Sequence, residues 1–273
     1  MKKILAALLC VLLPAGILCA CGQQQAPVET TTTASAPAAP ADVQAEALYA
    51  DYLLNGGYSD FLYDYDNPEA DFEAEAVLAD VNADGVRELL LHITDKSSAG
   101  VRGFYAVTIL LGVQDGEVRR LGFAEYGGGS GGGDYLNIKY DTVEKKHVLE
   151  YEEFVRDGMF FNTYALHFFD VTQTDAEEKM FGLSGSGDVV YKTAHTLRCV
   201  QIYADSEDYG EDAQRILAET DLYKQEDGIV TAWEYDDAYI TEAQYDEIAA
   251  RFVEPTDPAY QMKPVTLENP IPG

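Results

Sequence analysis

The chain is short of cations. Its 273 residues hold 18 Lys and Arg against 48 Asp and Glu, a formal charge of −30. Nucleic-acid binding rests on Lys and Arg contacts to phosphate, so this balance argues against it. Adhesion to an anionic lipid surface by charge is excluded on the same ground. Cation binding, basic partners and plain solubility are all compatible with it. Histidine is also scarce. His92, His147, His167 and His195 are scattered, with no H-E-x-x-H and no paired spacing; His92 and His167 read as strand residues of the core or surface. No spacing of Ser, His and Asp marks a triad, so no catalytic residue is assigned. Beyond the first eighteen residues no apolar stretch reaches eighteen, which leaves no candidate membrane-spanning helix there.

What the N-terminus does have is a positive start, Lys2 and Lys3, followed by the apolar stretch Ile4 to Leu18. Fifteen helical residues at about 1.5 Å each reach roughly 22 Å, short of a bilayer core of about 30 Å. A charged start, a short apolar run and a small-residue exit describe a secretory signal. The exit, Leu18-Cys19-Ala20-Cys21-Gly22, resembles the bacterial lipobox. The resemblance implies that residues 1–21 form a lipoprotein signal and that Cys21, diacylated, becomes the new N-terminus. Cys19 is a second possible acceptor with a poorer approach, and simple secretion with cleavage nearby is the alternative. Removing Lys2 and Lys3 moves the charge from −30 to −32. Two acyl chains anchor stably, since each buried methylene contributes about 0.8 kcal/mol. The expected location is the outer, extracytoplasmic face of the cell membrane. Of the four cysteines, only Cys21 and Cys199 remain after cleavage. Cys21 carries lipid in this reading, so Cys199 stands alone. It lies in an apolar run and reads as a buried small hydrophobe rather than half of a disulfide.

Residues 22–41 are low in complexity, with Gln, Thr, Ala, Ser and Pro dominating, and cannot bury enough apolar surface to fold. They read as a tether with a typical span on the order of 25 Å. Residues 42–273 read as one α+β domain, mainly an antiparallel sheet with a helix near each end. Asp42 is placed to cap a first helix burying Val43, Ala47, Ala50 and Leu54, and Asn55-Gly56-Gly57 ends it. Ala76–Ala79 and Glu88–Ile93 read as paired strands. Tyr105–Val113 and Val118–Phe123 form a hairpin across Asp115-Gly116, a favoured tight turn. Leu136–Tyr140 pairs with His147–Phe154. Asp157-Gly158 then turns into Phe160–Val171, apolar on both faces and so expected to be central. Thr196–Tyr203, a short helix Glu211–Glu219 and the strand Ile229–Tyr235 follow. Thr241-Glu242-Ala243-Gln244 fits a capping box opening a helix with Tyr245, Ile248, Ala249 and Phe252 on one face. The tail after Pro255 reads as irregular.

One segment carries chemistry. In Asp80-Val81-Asn82-Ala83-Asp84-Gly85-Val86-Arg87-Glu88, oxygen-bearing side chains fall at positions one, three, five and nine, with glycine at six. A hard cation such as Ca²⁺ takes six to eight oxygens, and position seven offers a backbone carbonyl. The start matches an EF-hand loop, but position twelve is Leu91 and the flanks are β-like. The pattern resembles the Asp-x-Asn-x-Asp-Gly loops of FG-GAP and VCBS-type repeat proteins, which join two strands and bind Ca²⁺. The resemblance implies Asp80, Asn82, Asp84, the carbonyl of Val86 and Glu88 as ligands. It covers about a dozen residues, and with one such loop the propeller fold is not carried over. The same residues also favour bare turns, so a calcium loop and an empty turn both stand. More broadly, the chain resembles uncharacterised lipoproteins of Gram-positive bacteria, which supplies a class without an activity.

Weaker signals complete the reading. The glycine run Gly127–Gly133 matches phosphate-loop and nucleophile-elbow patterns only by register, and a strand rather than a helix follows it. Acidic clusters at Asp64–Asp71, Glu150–Glu153 and Asp205–Asp212 offer carboxylate pairs of the kind that hydrolyse glycosides, at a density 48 acidic residues produce by chance. Trp233 and Tyr235 would share one strand face, as a binding platform if exposed and as core if not. The function expected is a lipid-anchored, calcium-stabilised, non-enzymatic module binding cell-wall glycan, peptide or protein. A cell-envelope hydrolase and a structural or assembly lipoprotein are the alternatives. For the anchor, the mass of the mature N-terminus decides: diacylglyceryl-modified Cys21 is expected, and an unmodified, freely released Cys21 would sink it.

Overall fold

Apolar and polar residues alternate at period two between turn residues through most of the chain, and strand follows strand accordingly. The computed structural model describes residues 41–60, 62, 71–96, 105–127, 132–157, 161–174 and 191–273, and these belong to one compact unit. The helices are α1 (Ala41–Leu54), α2 (Gly210–Glu219) and α3 (Glu242–Ala249). The strands are β1 (Phe72–Ala79), β2 (Glu88–Asp95), β3 (Tyr105–Gln114), β4 (Glu117–Gly127), β5 (Gly132–Asp141), β6 (Lys146–Asp157), β7 (Phe161–Thr174) and β8 (Tyr191–Tyr203), then β9 (Tyr223–Glu226), β10 (Ile229–Tyr235), β11 (Ala238–Ile240), β12 (Phe252–Val253) and β13 (Lys263–Val265). The fold is α+β with a mostly antiparallel sheet. From β1 to β8 each strand pairs with the next, β10 then pairs with β8, and β13 returns to the outer edge of β1. Tight turns set three of the hairpins. Asp115-Gly116, Asp227-Gly228 and Asp236-Asp237 all have positive φ at both residues, the twist that matches antiparallel strands.

The sheet turns back on itself between β4 and β5, whose described ladder is the single pair Tyr126↔Gly133. One face of β1–β3 then packs under α1. There Ala45, Tyr49 and Leu53 meet Ala76, Leu78, Leu89, Leu91, Ile109 and Leu111. The other face of β1–β4 packs on β5–β8, with Val77, Leu90, Leu110 and Leu121 against Leu136, Leu149, Phe169 and Val171. Both faces of β2 and β3 are buried, which explains the unbroken Leu89-Leu90-Leu91 and Ile109-Leu110-Leu111 runs. Gly122 sits in this seam, where an added Cβ would lie 3.1 Å from Leu136. The opposite face of β6–β8 is covered by α3 and β12, with Leu166, Phe168 and Leu197 against Phe252 and, from α3, Tyr245, Ile248 and Ala249. Helix α2 covers the far end of β8 and β10, packing Ala213 and Ile216 on Val200, Ile202, Val230 and Ala232.

Strand β7 lies between β6 and β8 as its two apolar faces predict. The capping box forms, Thr241 Oγ1 accepting from Gln244 N–H. Three readings change. Helix α1 buries Ala45, Tyr49 and Leu53, whereas Val43 and Leu54 are 53% and 50% exposed. Both stripes have helical spacing; the larger side chains win the sheet, and Tyr49 Oη also donates to the Arg87 carbonyl (2.9 Å). Helix α1 already includes Asp42, whose side chain lies outside those described, as does Gly158 of the expected turn before β7. The tail after Pro255 is not irregular throughout, since it supplies a 3₁₀ turn, Pro258–Tyr260, and strand β13.

A buried ion pair holds the α3 end onto the sheet. Asp141, 1% exposed, accepts from Arg251 Nε (2.7 Å) and Nη2 (2.5 Å), and also from the N–H groups of Val143 and Glu144. Burial raises the Asp141 carboxyl, but the Arg251 guanidinium and these amides outweigh it and hold the pKa below the ordinary value. A depressed acid stabilises above its unfolded pKa and loses that contribution as pH falls through the folded one. Arg251→Ala strands a buried carboxylate and is expected to cost about 3–5 kcal/mol; a urea titration at pH 7 measures it, and a change below about 1 kcal/mol would refute the role.

Candidate functional site

The Asp80–Glu88 segment is the hairpin loop joining β1 to β2, whose last and first residues pair as Ala79↔Glu88. Ala83 (φ 59°) and Gly85 (φ 87°) adopt left-handed backbone, and the side chains turn inward to hold it. Asp80 accepts from the N–H of Asp84 and of Gly85, both at 3.0 Å. Asn82 Oδ1 accepts from Asp84 N–H at 2.9 Å, and Asp84 Oδ1 from Val86 N–H at 2.7 Å. Glu88 Oε2 accepts from Val81 N–H at 2.9 Å across the loop base. The neck of the loop is clamped from two sides. Tyr260 Oη donates to the Asp80 carbonyl at 3.1 Å while its ring stacks on His147 at 3.7 Å. Arg87 is held by α1 through Glu46 at 2.5 Å.

The expected ligands are therefore brought together in one loop. As folded, their side-chain oxygens serve the loop's own N–H groups, and among the described residues no three of His, Cys, Asp and Glu stand as a metal-holding group. The donor types fit a hard cation, being all oxygen, and a carboxylate oxygen that accepts one N–H retains a second lone pair. A bound Ca²⁺ would be held by Asp80, Asn82, Asp84 and Glu88 with the Val86 carbonyl, and would supply charge neutralisation. Glu88 is 4% exposed. Burial pushes its carboxyl up to about 7; the Val81 N–H opposes this, and the charges of Asp84 and Asp80 add to it.

Trp233 and Tyr235 do not form an exposed platform. Trp233 is 8% exposed, opposite Cys199 in the ladder. Tyr235 is half-buried, its Oη 2.7 Å from His195 Nδ1. The core reading of Trp233 holds because it shares a face of β10 with Tyr235, the face on which α3 packs. The Cys199 thiol is pushed up to about 11 by burial, with the Glu242 charge adding. Glu153 projects from the face of β6 opposite Glu150 and Glu152, which share one face. Cys21, residues 22–40 of the expected tether, residues 64–70 of the first acidic cluster and the centre of the glycine run lie outside the described residues, while Ala41, the last residue of that tether, already belongs to α1.

A second site emerges only from the fold. On the inner face of β6, β7, β8 and β10, the part left between the β1–β4 layer and α2 forms a groove of ≈ 560 Å³. Its apolar end consists of Val155, Phe161, Val200, Ile202 and Ile216. Its polar end holds Glu153, His167, Arg198 and Glu234, with Arg215 and Asp212 on the α2 rim. Arg198 pairs with Glu234 at 3.1 Å, Arg215 with Asp212 at 3.0 Å, and His167 Nε2 lies 3.5 Å from Glu153. His167 Nδ1 is also 3.3 Å from Thr196 Oγ1. Sequence reasoning missed this face, because which of a strand's two faces stays open depends on the placement of α2 and α3. Compared with known proteins, the chain matches no family model, no curated protein and no solved structure.

The Glu88 carboxyl makes a pH prediction for calcium-free protein. Folded, it keeps its proton until about pH 7; unfolded, it loses it near 4.5. Between those values the native state binds more protons, so stability falls as pH rises, by about 3 kcal/mol over the window at roughly 1.4 kcal/mol per pKa unit. Glu88→Gln is expected to remove this slope. Urea midpoints at about pH 5 and pH 8 in chelator test it, and parallel slopes in the two proteins would refute it.

Proposed function

We propose that the protein is a lipid-anchored extracytoplasmic binding module, stabilised by calcium at the Asp80–Glu88 loop, that takes a cell-wall or protein-derived ligand in the groove beside α2. The groove carries the reading. Its size lies in the range of small-ligand sites, and its lining combines an apolar surface with a few converging polar groups. The lipobox-like Leu18–Cys21 segment and the tether supply the address. Exported proteins meet millimolar calcium, so even a weak loop would fill. The loop sits at the β1–β2 turn, behind strands buried on both faces, so a cation there supports the core and takes no part in chemistry.

A hydrolase is the second reading, favoured by one arrangement. Thr196 Oγ1, His167 and Glu153 stand in hydroxyl–imidazole–carboxylate order. It ranks lower because Thr196 and His167 face each other mid-ladder. The neighbouring backbone N–H groups are committed to strand pairing and do not converge as an oxyanion site would require.

The test is a thermal melt of the mature chain in detergent with and without millimolar calcium, beside Asp84→Ala. Binding to the native state alone stabilises by RT ln(1 + [L]/Kd), about 2.7 kcal/mol at a hundredfold excess. A calcium-dependent rise lost in the variant is expected. No rise in either protein would reduce the loop to a turn.

A further inference from the structure

Both guanidinium groups in the groove stand beside a carboxylate. Arg198 is matched by Glu234 and Arg215 by Asp212, and Glu153 stands beside His167 as one further carboxylate, within a chain of net charge −30. An anion alone would add to the carboxylate excess, and a cation alone would leave the guanidinium groups without a new partner. A ligand carrying both signs at its ends extends the alternation without either cost. Guanidinium groups suit its carboxylate, which a planar fork binds bidentately, and Glu153 and Glu234 suit its ammonium. Of the apolar lining, Val155 is 39% exposed and Phe161 half-buried, which calls for an apolar side chain over them.

Glycan recognition would use an exposed ring face. Trp233 is buried on the opposite face of the sheet, Phe161 stacks on Tyr209 at 4.9 Å, and the Tyr239 hydroxyl donates to Glu219. The groove's chemistry is that of a peptide site. We infer that the groove between β7, β8 and α2 binds a short zwitterionic peptide with an apolar side chain, its carboxylate at Arg198 and its side chain on Val155 and Phe161. The inference rests on the binding-module reading and narrows its ligand.

The probe is the dipeptide Leu-Leu, titrated calorimetrically into the mature chain in detergent, beside N-acetyl-Leu-Leu-amide and an N-acetylglucosamine tetramer. Saturable binding of Leu-Leu is expected, at least tenfold weaker for the blocked dipeptide. Arg198→Lys keeps the charge and loses the fork, and should also weaken binding at least tenfold. Thr163→Trp fills the floor and should abolish it, with an unchanged melt showing that both variants fold. Equal binding of free and blocked dipeptides would overturn the charge recognition. Binding of the tetramer alone, lost in Thr163→Trp, would overturn the peptide assignment and preserve the binding-module reading. Binding of neither would overturn the assignment and remove the groove from that reading.

Discussion

The architecture depends on one constraint. A strand that is apolar on both faces must be covered twice, and β2 and β3 carry leucine and isoleucine on both. One covering comes from α1, reached at once by the chain before β1. The other comes from the same sheet folding over, because β4 and β5 share a single described pair and then diverge. Everything later in the chain is placed by that fold-over. The second layer has its own outer face to cover, and α3 with β12 does so. Its inner face is longer than the first layer can hide. Helix α2 takes the far end, and the groove is what is left between.

Two polar devices fix the ends of this arrangement. Asp141 and Arg251 tie the chain after α3 back to β5, and Glu144 and His195 lie within reach of the same guanidinium. Tyr260 ties the C-terminal segment to the calcium-like loop through the Asp80 carbonyl. The loop is therefore joined to α1, β6 and the C-terminal segment at once. Such a loop transmits a local gain in order to the packing around it, which is the physical content of a structural cation. The same inward carboxylates cap the turn's N–H groups, and burial, with the charges of Asp84 and Asp80 adding, raises the pKa of Glu88.

The loop and the groove differ in what they ask of the chain. The loop is local: nine consecutive residues supply all of its donors. The groove is assembled from β6, β7, β8, β10 and α2, whose contributing residues span 153 to 239. Its charged residues look unremarkable one by one among 48 acids and 18 bases. Their significance lies in standing together on an inner surface that the first layer leaves open and α2 borders.

The residues alone determined the alternation that makes the strands, the Asp-Gly turns, the capping box at Thr241, the central position of β7 and the inward oxygens of Asp80, Asn82 and Asp84. These are decided by neighbours within a turn or two, through sterics and local hydrogen bonds. They could not settle which stripe of α1 is buried, because two stripes share the same period and only contact with β1–β3 chooses Tyr49 and Leu53. Nor could they settle whether Trp233 faces water, since a strand's two sides are equivalent until something packs on one. Strand β13, three residues long, has no pattern of its own and exists because the edge of β1 offers it partners. The groove belongs to the tertiary structure entirely. It is set by where α2 and the folded-over sheet stop covering an inner face, and distances between layers leave no periodic trace along a chain.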